Sequence, residues 1–180
     1  MINLEAKKHR LNLENKNEDF WLKEGQKMAL RLFNLASQKV PAYKKFLKSN
    51  KINPDKIKTI SDFRNVPAVD KQNYLRQYSF PELCWNGKPG SMDMISVSSG
   101  STGKPFYWLR GEEQEKEAVL TLESIYVDSF GIDKQSTLFI VSFAMGVWIG
   151  GTLIHGATQT IAKSYDMTVV TPGINIPEVF

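Results

Sequence analysis

From Met94 onward the hydrophobic pattern switches repeatedly between a two-residue and a helical period, and this alternation restricts the fold more than any other feature. Met94–Ile95–Ser96–Val97 reads as a strand and Phe106–Tyr107–Trp108–Leu109 as its return partner, with a polar loop between them. Glu112 to Phe130 has helical spacing. Ala118, Val119, Leu122, Ile125 and Tyr126 form an apolar stripe, and Glu112, Glu113 and Glu115 crowd the first turns, where the helix dipole favours acids. A strand over Thr137–Phe143, a glycine-rich helix from about Val147 to Lys163 and a strand over Thr168–Thr171 follow. Strand, helix, strand, helix, strand predicts an α/β fold whose partial, mainly parallel sheet is covered by helices.

The front of the chain is different. Over 18–39, Trp21, Met28, Leu32, Leu35 and Ala36 follow helical spacing, with Lys23, Lys27 and Gln38 off that face. Pro41 opens a second helix, Ala42 to Lys48, with Tyr43, Phe46 and Leu47 as its apolar side. Asn53–Pro54–Asp55 is a turn, Ser61–Asp62 starts a short helix, and Asp70 caps another after the Pro67 break. The expected organisation is a helical N-terminal lobe over 1–80 and the start of an α/β subdomain over 81–180. Trp85–Asn86–Gly87–Lys88–Pro89–Gly90 supplies turn chemistry near the junction. Pro177–Glu178 opens a helical turn that the chain does not complete, so the sequence reads as the front portion of a longer protein.

Composition excludes several classes. The 180 residues are 42% hydrophobic and 23% charged, which suits a globular domain with a sizeable core. The net charge of +4 is uneven: seventeen Lys/Arg against eight Asp/Glu in 1–80, six against eleven afterwards. The lysines alternate with acids along helical stretches, as on a solvated face, so no nucleic-acid partner is expected. Cys84 is the single cysteine, and His9 and His155 lack partners at metal-ligand spacing, so neither a disulfide nor a zinc site is expected. MINLEAKKHR lacks the apolar core of a secretory signal, which points to the cytoplasm.

Leu138 to Ala157 (LFIVSFAMGVWIGGTLIHGA) is uncharged and of membrane-spanning length, with Gly146 and Gly150 at the spacing of a transmembrane packing motif. Its front is β-branched and aromatic, its back carries four glycines and His155, and no basic cluster flanks it. A buried strand followed by a buried helix is the expected reading, with no membrane partner.

The loop SSGSTGKP has its own chemistry. Gly100 and Gly103 let backbone N–H groups approach a ligand, Ser98, Ser99, Ser101 and Thr102 add hydroxyl donors, and Lys104 adds a mobile cation. Such a concave donor set suits phosphate oxygens, although a plain surface loop also uses glycine and serine. It is not a Walker A loop. Ser98 stands where that motif needs glycine, Pro105 where it needs Ser or Thr, and a strand follows instead of a helix.

SSGSTGKP resembles the Ser/Thr/Gly-rich phosphate loop of adenylate-forming enzymes. The phrases VPAYKKFL, DFRNVPAVDK and GVWIGG resemble the phenylacetate–CoA ligase branch in particular. The likeness runs through most of the chain. It implies a carboxylate–CoA ligase: a carboxylic acid attacks the α-phosphorus of Mg²⁺-ATP to give an acyl-adenylate and pyrophosphate, and the thiol of coenzyme A then takes the acyl group. By the same resemblance, Ser98, Ser99, Gly100, Ser101, Thr102, Gly103 and Lys104 bind the nucleotide's phosphates. Lys104 is then the catalytic cation, and no metal ligand is assignable. The family's adenine-binding residues, magnesium-binding acid, lid lysine and most of its acyl pocket have no match in these residues, so the chain alone is expected to be inactive. The alternative is a non-catalytic nucleotide-binding or interaction module derived from such a ligase.

Other residues have plainer readings. Phe106, Tyr107, Trp108 and Trp148 are expected to pack in the core, His155 to be a satisfied core histidine, and Cys84 to be packing. The glutamates at 112–117 mark a helix start. Sheet edges left open point to self-association as a homo-oligomer.

Overall fold

The computed structural model describes residues 4–90, 94–98, 105–175 and 177. They form two compact units, one of residues 16–90 and the other of residues 1–15 together with 91–180.

The 16–90 unit is helical. Helix α2 (Glu18–Lys39) starts where the Asn17 side chain accepts the Phe20 N–H at 3.0 Å, and it carries Glu18 and Asp19 in its first turn. Val40 ends α2 and introduces α3 (Pro41–Ser49), whose first position takes the proline that cannot donate. Thr59 and Asp62 cap α4 (Ile60–Phe63) reciprocally, one residue earlier than expected from Ser61. The Asp70 carboxylate accepts from Gln72 and Asn73 N–H, both at 2.7 Å, at the head of a single wide turn over Lys71–Leu75. A further short helix, α5 (Phe80–Leu83), leads into a turn where Asn86 and Gly87 have φ of 55° and 71°.

The buried stripe of α2 lies elsewhere than its spacing suggests. Phe33 and Ser37 are buried, whereas Trp21, Met28 and Leu32 are exposed. The reason is aromatic packing: Phe33 meets Tyr43 and Phe63 edge-on at 6.0 and 5.6 Å and joins Leu47 and Ile57 in the core. A second cluster forms around Val40, Ala42, Phe46 and Tyr74.

In the other unit, helix α1 (Leu4–Asn15) packs on α6 (Glu112–Phe130), and the Arg10 guanidinium pairs with Asp128. Strands β1 (Met94–Ser98) and β2 (Phe106–Arg110) form an antiparallel hairpin with Ser98 opposite Phe106. Strand β3 (Thr137–Ile140), helix α7 (Ile149–Ala162) and strand β4 (Met167–Val170) form a β–α–β unit. Its strands pair in parallel, Thr137 opposite Met167 and Ile140 opposite Val170. Gly131, at φ 63°, ends α6 in the left-handed conformation that glycine adopts freely.

The chain is therefore mixed α/β and mostly helical. Its described strands make two separate pairs, one antiparallel and one parallel, and not the single mainly parallel sheet anticipated. The β3–β4 pair is covered on one face by α6 and α7 through Phe139 and Met167, which pack on Tyr126, Val127, Ile132 and Ile161. Its other face is bare, with Leu138 62% exposed, so the expected buried strand is half-buried. The apolar run 138–157 divides between β3 and α7, and among the described residues no helix is long and apolar enough to cross a membrane. On α6 the expected stripe holds at Val119, Leu122 and Tyr126, which pack in the core with Val127. Ile125 is exposed instead, and Glu123 is buried, its carboxylate accepting a hydrogen bond from Tyr165.

Candidate functional site

Antiparallel pairing brings Ser98 and Phe106 side by side, so the segment between them leaves and returns at one end of the hairpin. Ser98 is half-buried, its Oγ 3.5 Å from the Phe106 carbonyl oxygen. Of the residues singled out for phosphate binding, Ser98 alone is described. Ser99, Gly100, Ser101, Thr102, Gly103 and Lys104 lie outside the described residues. What the structure defines is the stem on which they are carried.

That stem is held from both sides. On one, β1 pairs with β2. On the other, the Val97 N–H donates to the Val147 carbonyl at 2.8 Å, and Val97 bridges Trp148 in parallel. Val97 is 5% exposed and fixes the strand just before Ser98. Sequence reasoning missed this bridge because it joins two segments fifty residues apart along the chain, for which no local signal exists.

Beside the bridge lies an apolar hollow of about 350 Å³, lined by Val97, Phe143, Ala144, Trp148, Ile149, Gly150 and Gly151. Trp148 was expected to be buried packing. It is 39% exposed instead, because it precedes the first turn of α7 and faces the hollow. The hollow forms where the chain leaves the carboxyl end of β3, the side on which open α/β sheets bind ligands. Gly146, at φ 80°, turns the chain between Phe143 and Trp148. At Gly151 a Cβ would overlap the Ala144 carbonyl oxygen, so only glycine lets α7 approach the loop before it so closely.

Three polar groups of the same unit have unusual surroundings. Arg110, 6% exposed at the end of β2, places Nε 3.0 Å from Glu115 Oε1. The two are close enough to pair as charges but are not aligned for a hydrogen bond, and Arg110 Nη1 is also without one among the described residues. Among the described residues Ser96 Oγ is buried without a partner, as is His155 Nδ1. His155 was expected to be a satisfied core histidine; it is half-buried, and its Nδ1 lacks a hydrogen bond among the described residues. Phe106 and Trp108 stack edge-on at 5.0 Å, whereas Tyr107 and Trp108 are exposed and not core residues. Glu112 and Glu113 pair with Lys116 at 2.7 and 3.5 Å, as a charged first turn should. Cys84 donates to the Phe80 carbonyl, and burial pushes its thiol pKa up. Among the described residues no three His, Cys, Asp or Glu side chains are gathered to hold a metal.

No protein-family profile and no curated protein sequence matches the chain. Solved structures do. An open conformation of 2-hydroxyisobutyryl-CoA ligase, in complex with 2-HIB-AMP and CoA, superposes with a TM-score of 0.59 at 16% identity, covering 82% of this chain and 34% of the ligase. The same ligase in its thioesterification state gives a TM-score of 0.61 at 20% identity over 86% of this chain and 33% of the ligase. Its postadenylation state gives 0.60 at 19% identity over 83% and 32%. The fold thus resembles part of an acyl-CoA ligase, and the chain spans about a third of the ligase's length.

Proposed function

We propose that this chain is the phosphate-gripping front portion of an ATP-dependent carboxylate–CoA ligase of the phenylacetate–CoA ligase kind. The observation that carries the reading is the juxtaposition of a two-sided hairpin stem, ending at Ser98, with an apolar hollow walled by Phe143 and Trp148. The fold shared with part of a CoA ligase supports it.

In this reading the main-chain N–H groups and hydroxyls from Ser98 to Gly103 hold the β- and γ-phosphates, with Lys104 among them as a mobile cation. A carboxylate oxygen attacks the α-phosphorus and the bond to the β-phosphate oxygen breaks, so negative charge gathers on the departing pyrophosphate. Donors already aimed at that charge stabilise the transition state more than the ground state. The thiol of coenzyme A then displaces AMP from the acyl-adenylate. The hollow seats the apolar part of the acid beside the phosphates. Magnesium supplies further charge neutralisation when bound to the nucleotide. The described residues do not offer it a ligand set, and no step is assigned to it.

A second reading, a non-catalytic nucleotide-binding or interaction module derived from such a ligase, uses the same hairpin. Calorimetric titration of the chain with MgATP and with pyrophosphate tests the part common to both. Saturable binding is expected, weakened about tenfold or more in Lys104→Ala through loss of a charge-assisted contact. Affinity unchanged in that variant would remove the lysine from the site, and no binding at all would sink the proposal.

A further inference from the structure

We infer that helix α2 carries the contact surface for a second copy of this chain, two α2 helices pairing antiparallel along Trp21, Gly25, Met28 and Leu32. The inference is independent of the nucleotide reading above.

Helix α2 has two apolar sides. Phe33 and Ser37 face the core of the 16–90 unit and are buried. On a different side Trp21, Met28 and Leu32 are 38%, 53% and 59% exposed. With Gly25 they recur at spacings of four, three and four residues, the rhythm of a helix–helix seam. Glycine weakens the middle of a helix, and a Cβ at Gly25 would meet nothing of this chain, so no internal packing calls for it. Against a partner helix the missing side chain leaves a socket for Met28, and the same antiparallel register sets Trp21 against Leu32. Charge fixes the direction. Glu24 and Arg31 lie on one flank of the seam, seven residues apart. The Glu24 side chain is 40% exposed and touches Lys27 at 3.3 Å within its own helix, while Arg31 is exposed and has no ion pair among the described residues. Antiparallel pairing brings Glu24 of each copy to Arg31 of the other, twice by symmetry, and lays Leu22 beside Ala29 on the opposite flank. Parallel pairing sets Glu24 and Arg31 against Ala29 and Ala36 instead, so the charges complement each other in one direction only.

Sedimentation equilibrium of the 180-residue chain tests this. A single helix seam makes a weak, reversible dimer, so the mass should climb toward twice that of the chain by about 100 µM. Leu32→Glu, at an exposed position, should keep the chain monomeric at that concentration. Arg31→Glu and Glu24→Arg should each weaken association at least about tenfold, because like charges then face each other. Mixed together, those two variants should associate within about threefold of the native affinity, since every facing pair is again opposite in sign. Only a seam that sets position 24 against position 31 gives that rescue. Should Leu32→Glu not fold, as judged by circular dichroism, the mixture decides. A chain that stays monomeric throughout, a dimer indifferent to Leu32→Glu, or a mixture no tighter than its components would each overturn the inference.

Discussion

Tyr165 donates its phenolic hydrogen to Glu123 Oε1 at 2.7 Å, tying the chain just before β4 to a carboxylate that is 3% exposed on α6. Removing the donor leaves a buried charge short of a partner. Tyr165→Phe is expected to destabilise the protein by about 2 kcal/mol in thermal or urea unfolding. Burial, and then the Glu123 hydrogen bond, push the Tyr165 pKa up. The folded state thus keeps a proton that the unfolded state releases near pH 10. Stability should fall as pH rises above about 10, less steeply in Tyr165→Phe. Parallel alkaline limbs for the two proteins would contradict this.

At the acid end the informative group is Glu82. Its hydrogen bonds with Lys45 and then with Ser79 lower its pKa from 4.5 to about 2. A depressed carboxylate stabilises the fold above its unfolded pKa, and the contribution disappears as pH falls from about 4.5 to about 2. In Glu82→Gln that contribution is absent, so stability at neutral pH should fall modestly, since solvent screens the pair, and the two proteins should converge as pH falls towards 2. A neutral-pH difference that persists unchanged near pH 2 would refute the assignment.

Adjacent glycines on α7 should behave differently. A Cβ at Gly150 would meet the Phe143 ring at 3.7 Å, an ordinary contact, whereas one at Gly151 would collide with backbone. Gly151→Ala is expected to cost about 2–3 kcal/mol by overpacking, and Gly150→Ala to be neutral or slightly stabilising within a helix. Equal melting temperatures would show that the loop before α7 yields more readily than its geometry indicates.

Catalysis by the isolated chain is not expected. On the proposed reading, ATP–pyrophosphate exchange, assayed with a panel of carboxylic acids, should stay at background even where MgATP binds, since Ser98 to Lys104 would supply a phosphate grip and the described residues gather no metal ligand set. Exchange above background would mean that the active site is more complete than proposed.

Much of the fold was legible where the signals were local. The bounds of α6, both strands of the hairpin, the cap at Asp70 and the division of the 138–157 run follow from charge placement, alternation and turn residues. The buried face of α2 and the burial of Glu123 on α6 were not. Phe33 and Glu123 are fixed by partners distant in sequence, Phe63 and Tyr165, and these override spacing. Helix α1 went unseen because LEAKKHRLNLEN has no clear apolar stripe, and its described anchor is the pairing of Arg10 with Asp128. Of the candidate site, Ser98 and the polar character of the loop could be read from composition. The Val97–Val147 bridge and the exposure of Trp148 depend on tertiary placement.

The interrupted make-up of the unit containing α1 bears on how the chain is made. Residues 16–90 can pack as soon as they leave the ribosome, whereas Arg10 waits 118 residues for Asp128 to be synthesised. Until then α1 has no docking surface, and nascent-chain quality control meets a finished helical module trailed by an unattached leading helix.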